Sequence, residues 1–470
     1  MKITFHGAAR TVTGSKHILH IKPNKKILLD CGLFQGMGKD TTTLNSEWGF
    51  IPSEIDHVII SHAHIDHIGL LPKLVKEGYK GKIYCTPATA SLAKILLIDS
   101  ARIQEDDIRY VNKVRARDHK QPVEALYTED DANMVFPMLE TIPYHEHFIV
   151  DDGVELLFTD CGHILGSAAV NLKIREDDKD IYLTFSGDIG RYRDMILKSP
   201  EVFPQADYII MESTYGDRLH DESKVSNEAF LKVIVDTCLK GRGKLIVPAF
   251  SMARTQELLF ILNQLELQGR LPPLNYYVDS PLSIKITETV KKYPDSYNNH
   301  VRKLLKDDED IFAFKGLKYV DKVQDSIALN DSDEPCVIIS ASGMAEAGRV
   351  KHHIANNVGD AKNTILLTGY CEPLSLGGRL KLKPDMVRIF GKEFKVKARI
   401  EEITSLSAHG DYEDMCQWLS CQDPALVNKL FLVHGDYEAQ EKFRQRLIKK
   451  GFRDVYIPIL HETIGLGDVD

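Results

Sequence analysis

The chain has 470 residues, 43% of them hydrophobic and 27% charged, with a formal net charge of −9. This composition is that of a folded globular protein and excludes a disordered or low-complexity chain, while the length calls for two or three domains. The acidic balance argues against a protein that grips a polyanion over a long surface, although buried cations or a basic cleft are compatible with an acidic exterior.

Met1 to His6 runs directly into an apolar-rich stretch without the basic segment, apolar run and small-residue site of an export signal. No stretch approaches the ~18 apolar residues of a membrane-spanning helix, so the expectation is a cytoplasmic protein with no membrane partner. The eight cysteines are dispersed and form no Cys-x-x-Cys pair, which argues against a disulfide framework or a thiolate zinc site.

Thr4 to Phe5, His17 to Ile21, Lys26 to Leu29, His57 to Ile60 and Lys82 to Cys85 read as strands by β-branched content and flanking turn residues. They predict a layered α/β domain up to about residue 208. Ser91 to Lys120 carries helical periodicity, and Gln104 to Asp107 with Arg109 and Lys113 predicts a solvated face. A Thr-x-x-Asp capping pattern predicts a helix over Thr128 to Thr141.

From Asp207 to Phe390 strands and helices alternate, as in Tyr208 to Met211, Asn227 to Lys240, Lys244 to Val247, Thr255 to Leu267 and Tyr276 to Val278. Such alternation predicts a parallel sheet flanked by helices. After Gly391 the chain returns to strands, Phe394 to Ile403 and Lys429 to Val433, with the helix Tyr412 to Cys421 between them.

The strongest chemical signal is His62, His64, Asp66 and His67, immediately after the apolar run Val58 to Ile60. Imidazoles and a carboxylate are the donors that zinc and similar cations prefer, and two-residue spacing at a strand end turns alternate side chains to one side. His163, Asp188 and His434 sit in glycine-bracketed turns after further predicted strands, Gly162 to Gly166, Ser186 to Asp188 and Val433 to Asp436. Glycine lets the backbone turn sharply beside a ligand. His145 and His147 have the same His-x-His spacing but no accompanying carboxylate or tight turn, and they read as surface residues.

These motifs resemble the metallo-β-lactamase superfamily, and the later ones its β-CASP branch of nucleic-acid-processing nucleases, over essentially the whole chain. The segments that carry the resemblance are Gly7 to Ser15, Leu29-Asp30-Cys31-Gly32, His62 to His67, His163, Asp188, Met211-Glu212-Ser213-Thr214-Tyr215-Gly216, Ser405 to His409 and His434. The resemblance implies a four-layer αββα fold, residues 1–208 and 391–470, with an inserted β-CASP domain over 209–390. It implies two Zn2+ ions, one held by His62, His64, His163 and Asp188, the other by Asp66, His67, Asp188 and His434, with Asp188 shared. Asp30 is expected to support the ligating histidines from behind.

The resemblance also implies chemistry. A metal pair activates a bridging hydroxide for attack on phosphorus, with Asp66 part of the catalytic centre, His409 the general acid and Glu212 the carboxylate that orients and charges it. Taken without the resemblance, His409 reads as a structural histidine and Glu212 as a capping carboxylate. A histidine at position 434 resembles the RNA-processing members, whereas the DNA-repair members carry an apolar residue there. The expected partner is single-stranded RNA, with a homo-oligomer compatible with the sequence. Ser342 and Gly343, in Ser340 to Met344, and Arg379 are candidate phosphate contacts, a turn of small hydroxyls and a guanidinium; an ordinary turn and a surface arginine fit them nearly as well. Arg254 reads as structural, and His352 and His353 as a helix face.

Two other readings are open: a small-molecule or thioester hydrolase of the same superfamily, and a catalytically silent RNA-processing subunit. An inserted domain of about 180 residues suits an extended polymer better than a small ligand, and an intact donor set disfavours a silent subunit.

Overall fold

Tyr208–Glu212 is buried along its entire length because its two faces serve two different cores. Tyr208 and Ile210 join Phe185 and Phe431 in the apolar layer between two sheets, while Ile209 and Met211 face Met415, Trp418 and Phe443 on the other side. Its neighbour Lys429–Val433 divides in the same way, Phe431 and Val433 inward, Leu430 and Leu432 outward. A strand covered on both faces reads as a continuous apolar run instead of an alternation.

The computed structural model describes residues 1–21, 24–220, 224–369, 371–403 and 407–467. Ser405 and Leu406, in the motif that ends at His409, lie outside the described residues. The chain divides into two compact units, Met1–Leu219 with His409–Asp470, and His220–Ala408.

The first unit contains two seven-stranded sheets. One runs Glu462–Gly465, Lys2–Phe5, His17–Ile21, Lys25–Leu29, His57–Ile59, Lys82–Cys85, Leu139–Thr141. The other runs Val455–Tyr456, Lys429–Val433, Tyr208–Glu212, Lys179–Phe185, Ala168–Glu176, Val154–Asp160, Phe148–Asp151. Helices Tyr412–Trp418 and Tyr437–Lys449 cover the outer face of the second sheet. Helices Leu71–Lys76 and Pro87–Arg117 bury Leu71, Leu74, Leu92 and Leu97 on the side of the first. The order of layers is helix, sheet, sheet, helix, as expected.

The second unit is a six-stranded parallel sheet in the order Leu317–Tyr319, Asn275–Val278, Cys336–Ser340, Leu245–Pro248, Thr364–Leu367, Arg399–Glu402. Helices Arg349–Asn357 and Leu376–Lys381 pack Val350, Ile354, Leu376 and Leu380 against Ile246, Ile338 and Ile365.

Three expectations are corrected. Tyr208–Glu212 belongs to the first unit, parallel to Lys179–Phe185 and Lys429–Val433, so the first crossing falls after residue 219, past the expected 208. The segment Phe394 to Ile403 belongs to the second unit: Arg399–Glu402 pairs with Thr364–Leu367, and Lys392–Lys395 with Met386–Ile389, so the return falls at residue 409 and not at 391. The helix from Thr128 ends at Val135 behind its capping box, and Leu139–Thr141 pairs with Lys82–Cys85 as an edge strand. Pro137 removes a helical donor at that point. Among the described residues no helix is long and apolar enough to cross a membrane.

Candidate metal centre

Parallel pairing brings several donors to one edge of the two sheets. Lys25–Leu29 and His57–Ile59 run parallel and are followed by Asp30 and His62, while Lys179–Phe185, Tyr208–Glu212 and Lys429–Val433 run parallel and deliver Asp188, Glu212 and His434. His163 lies in the turn after Val154–Asp160, and His64 caps the short helix Ile65–Ile68 that carries Asp66 and His67. Gly187, at φ +55°, has no room for a side chain: a Cβ there would sit 2.5 Å from Cβ of Ser61. Asp30 (φ +58°) and His434 (φ +50°) also adopt the left-handed conformation that non-glycine residues rarely take. Such strain persists where the surroundings dictate it, commonly at functional sites.

The donors separate into two sets about the two oxygens of Asp188. Oδ2 lies 3.4 Å from His62 Nε2 and 3.5 Å from His163 Nε2. Those nitrogens stand 3.1 and 3.2 Å from His64 Nδ1. On the other side Oδ1 lies 3.4 Å from His67 Nε2 and 3.6 Å from His434 Nε2, and His434 Nε2 is 3.4 Å from Asp66 Oδ2. Apart from His64 and Asp66, which are partly buried, all of these residues are buried.

These distances fit cations. Donors about 2.0–2.1 Å from a tetrahedral zinc stand roughly 3.3 Å from one another, close to the separations found here. Nε2 of His67 and Oδ1 of Asp188 are buried without a hydrogen-bond partner among the described residues. Burial keeps most of the imidazoles neutral, with lone pairs free: the pKa is pushed down to about 3 for His62 and about 4 for His64, and well below the ordinary value for His163. Burial alone would raise Asp188 and Asp66, but neighbouring histidines hold both carboxyls well below the usual range. His67 differs. Burial disfavours its charge, yet Asp188, Asp30 and Asp66 outweigh that and raise its pKa well above the ordinary value, so a cation binding there displaces a proton.

The ligating rings are held from behind. His67 Nδ1 lies 2.6 Å from Asp30 Oδ2, and Asp30 also accepts from the Ser61 amide at 2.8 Å, the Ser61 hydroxyl at 2.9 Å and the Ser15 hydroxyl at 3.2 Å. Ser61 Oγ is 3.1 Å from His62 Nδ1, and Thr214 Oγ1 is 3.0 Å from His434 Nδ1. Sequence reasoning singled out Asp30 but gave no role to Ser61 or Thr214. Their signal was adjacency, Ser61 beside His62 and Thr214 two residues after Glu212.

Glu212 is fully buried, accepts from the Ile189 amide at 2.5 Å, and places both carboxylate oxygens 3.1 Å from Nδ1 of His409. The loop carrying His409 is tied down by the Gly410 amide, which donates to the Ile189 carbonyl at 2.7 Å. The ring of His409 packs against that of His163, centroids 4.5 Å apart and planes tilted by 47°. Burial disfavours the charged imidazole, but Glu212 and Asp188 more than compensate and raise the pKa to about 9.

The remaining candidates have other surroundings. In the second unit Ser342 Oγ accepts from the Ala347 amide, and Arg379 donates to the carbonyls of Ser375 and Arg388 and lies 3.6 Å from Glu346. Gly343 packs against Phe250, whose ring a Cβ would meet at 2.5 Å. Arg254 is buried in an ion pair with Glu257. His353 is buried between Asp279 and Asn330, at 2.6 and 2.9 Å, and His352 packs its ring at a tilt against Phe390. His145 and His147 pair with Glu201 and Glu155 at the surface.

Three family models match the chain: a metallo-beta-lactamase superfamily domain over residues 18–212, a Beta-Casp domain over 255–380, and a Zn-dependent metallo-hydrolase RNA specificity domain over 393–458. The chain is 32% identical to Ribonuclease TTHA0252 of Thermus thermophilus over 93% of its own length and 94% of that protein. It is 29% identical to an RNase J-like protein of Methanocaldococcus jannaschii, covering 97% and 98% of the two chains. It is 28% identical to the transcription termination factor FttA of Methanosarcina mazei, over 96% of its own length and 69% of that protein. The fold, the clustered donors and these matches define a metal-dependent hydrolase: the chain belongs to the β-CASP branch of the metallo-β-lactamase superfamily.

Proposed function

We propose that the chain is a ribonuclease that hydrolyses phosphodiester bonds of single-stranded RNA with two zinc ions. The observation that carries this reading is the position of Asp188, whose two oxygens each face a separate cluster of donors, His62, His64 and His163 on one side and Asp66, His67 and His434 on the other. When bound, such a pair of cations supplies Lewis acidity, activation of the attacking water and neutralisation of charge on the phosphoryl oxygens.

The chain's own groups supply the rest. Asp188, with one oxygen toward each donor set, would be shared by the two sites and holds the two sets in register. Asp30 and Thr214 fix the tautomer and direction of His67 and His434. His409 gives its proton to the departing sugar oxygen, and Glu212 keeps it charged at neutral pH and aims the ring. No nucleophilic serine or cysteine is required. Ser342, Gly343 and Arg379 are the proposed phosphate contacts of the inserted domain.

RNA is preferred over DNA on two grounds. The last donor is His434, the residue type that the RNA-processing members carry, and two relatives matched over 94% and 98% of their own length are named as a ribonuclease and an RNase J-like protein. The test is cleavage of labelled single-stranded RNA beside a matched DNA and a small ester, before and after chelation. RNA turnover lost on chelation supports the reading. Turnover of the ester alone supports a small-molecule hydrolase, and bound zinc without turnover a silent subunit.

A further inference from the structure

The helix Pro87–Arg117 is 31 residues long, and only its first half is built into the domain. Its buried positions end at Ala101. Beyond that point one side is lined by the returning chain: Asn112 exchanges two hydrogen bonds of 2.9 Å with the backbone of Val123, and Arg115 donates to the Gln121 carbonyl. The opposite side is exposed, although it was expected to be a plain charged face. It carries Ile103, Tyr110 and Val114 at 46%, 71% and 40% exposure. With Asp107 these residues recur at intervals of four, three and four, the seam of a two-helix coiled coil. An exposed tyrosine between two β-branched residues on one stripe has no role in a solvated helix, and apolar surface of this kind marks contact sites.

The charges along the stripe indicate what covers it. Glu105, Asp106 and Asp107 lie in its first half and Lys113, Arg115 and Arg117 toward its end, with Arg109, which pairs with Asp106, between them. When a second copy of the same helix lies antiparallel, Ile103 faces Val114 of the second copy, Asp107 faces Tyr110, and Asp106 flanks Lys113, twice each by symmetry. A parallel pairing instead sets Asp107 against Asp107. The mixed signs along the stripe, carboxylates at 105–107 among Arg102, Arg109 and Lys113, suit a self-complementary partner better than the uniform charge of an RNA strand. We propose that the distal half of Pro87–Arg117 is a self-complementary arm through which two copies of this chain associate, helix against antiparallel helix. The proposal is independent of the catalytic reading.

Sedimentation velocity of the full chain across a wide concentration range tests it. The native protein is expected to shift from monomer to dimer as concentration rises, and Tyr110→Glu to remain monomeric. Asp106→Lys sets lysine against Lys113 in both symmetric pairs and is expected to weaken association on the order of tenfold or more. The double variant Asp106→Lys with Lys113→Asp restores opposite charges and is expected to recover dimerisation, which separates lost contact from lost folding. A native chain that stays monomeric throughout overturns the proposal, as does dimerisation untouched by Tyr110→Glu or a double variant no better than Asp106→Lys. Weaker RNA binding by Lys113→Asp in a protein monomeric throughout would reassign the arm to nucleic acid.

Discussion

Glu212 and His409, 197 residues apart, meet with both carboxylate oxygens of Glu212 at 3.1 Å from Nδ1 of His409. The pairing leaves Nε2 as the nitrogen available for proton transfer and keeps the ring charged against the pull of burial. His409→Ala is therefore expected to retain both cations and to lose about 10²–10⁴-fold in cleavage rate. A substrate with a better leaving group should recover much of that loss, and failure to recover it would remove His409 from the role of acid.

The same pair sets a pH dependence. The pKa of His409 is raised to about 9, so the acid form persists through neutrality and is lost as pH rises through that value. Cations held at Asp188 would withdraw part of that stabilisation, which would place the alkaline limb of the rate profile at or below about pH 9. In Glu212→Gln the neutral amide no longer holds the charge, and the limb should move toward the ordinary histidine value of about 6.5. In the metal-free chain the contribution of this pair to stability is fully present below about pH 6.5 and is lost on rising through about 9. Identical rate profiles for Glu212→Gln and the native enzyme would contradict this coupling.

Asp30 reaches His67 at 2.6 Å and ties its Nδ1 away from the donor cluster. Asp30→Asn is expected to lower metal affinity by about 10–100-fold, chiefly at the set formed by Asp66, His67 and His434. Zinc competition titrations read this directly, and unchanged affinity at both sites would show that the carboxylate does not orient the ring.

Thr214 supports His434 in the same way from the other side, at 3.0 Å. Thr214→Val keeps the shape and removes the hydroxyl, and about tenfold weaker binding at the same set is expected. Circular dichroism of the variant should match the native chain, since only one hydroxyl is changed.

How much of this was legible in the sequence depended on distance along the chain. His62, His64, Asp66 and His67 announce themselves because four donors fall within six residues after an apolar strand. His163, Asp188 and His434 are individually ordinary, and their glycine-rich turns made sense only once the family resemblance joined them. Thr214 was hidden because its partner lies 220 residues away, a pairing set by parallel neighbours Tyr208–Glu212 and Lys429–Val433. The same pairing hid the first unit boundary: Tyr208–Glu212 opens the strand, helix, strand alternation, and local pattern carries no mark of which sheet a strand joins. In Pro87–Arg117 the density of charge concealed Ile103, Tyr110 and Val114, which only the exposed geometry of the arm reveals as a stripe.

The most direct test of the account is the transition-metal content of purified chain, counted per molecule by elemental analysis, for the native protein and Asp188→Ala side by side. Two equivalents of zinc in the native chain and almost none in Asp188→Ala are predicted, because each oxygen of that carboxylate faces its own donor set. A native chain with no bound metal, or an Asp188→Ala variant that keeps two equivalents, would contradict it.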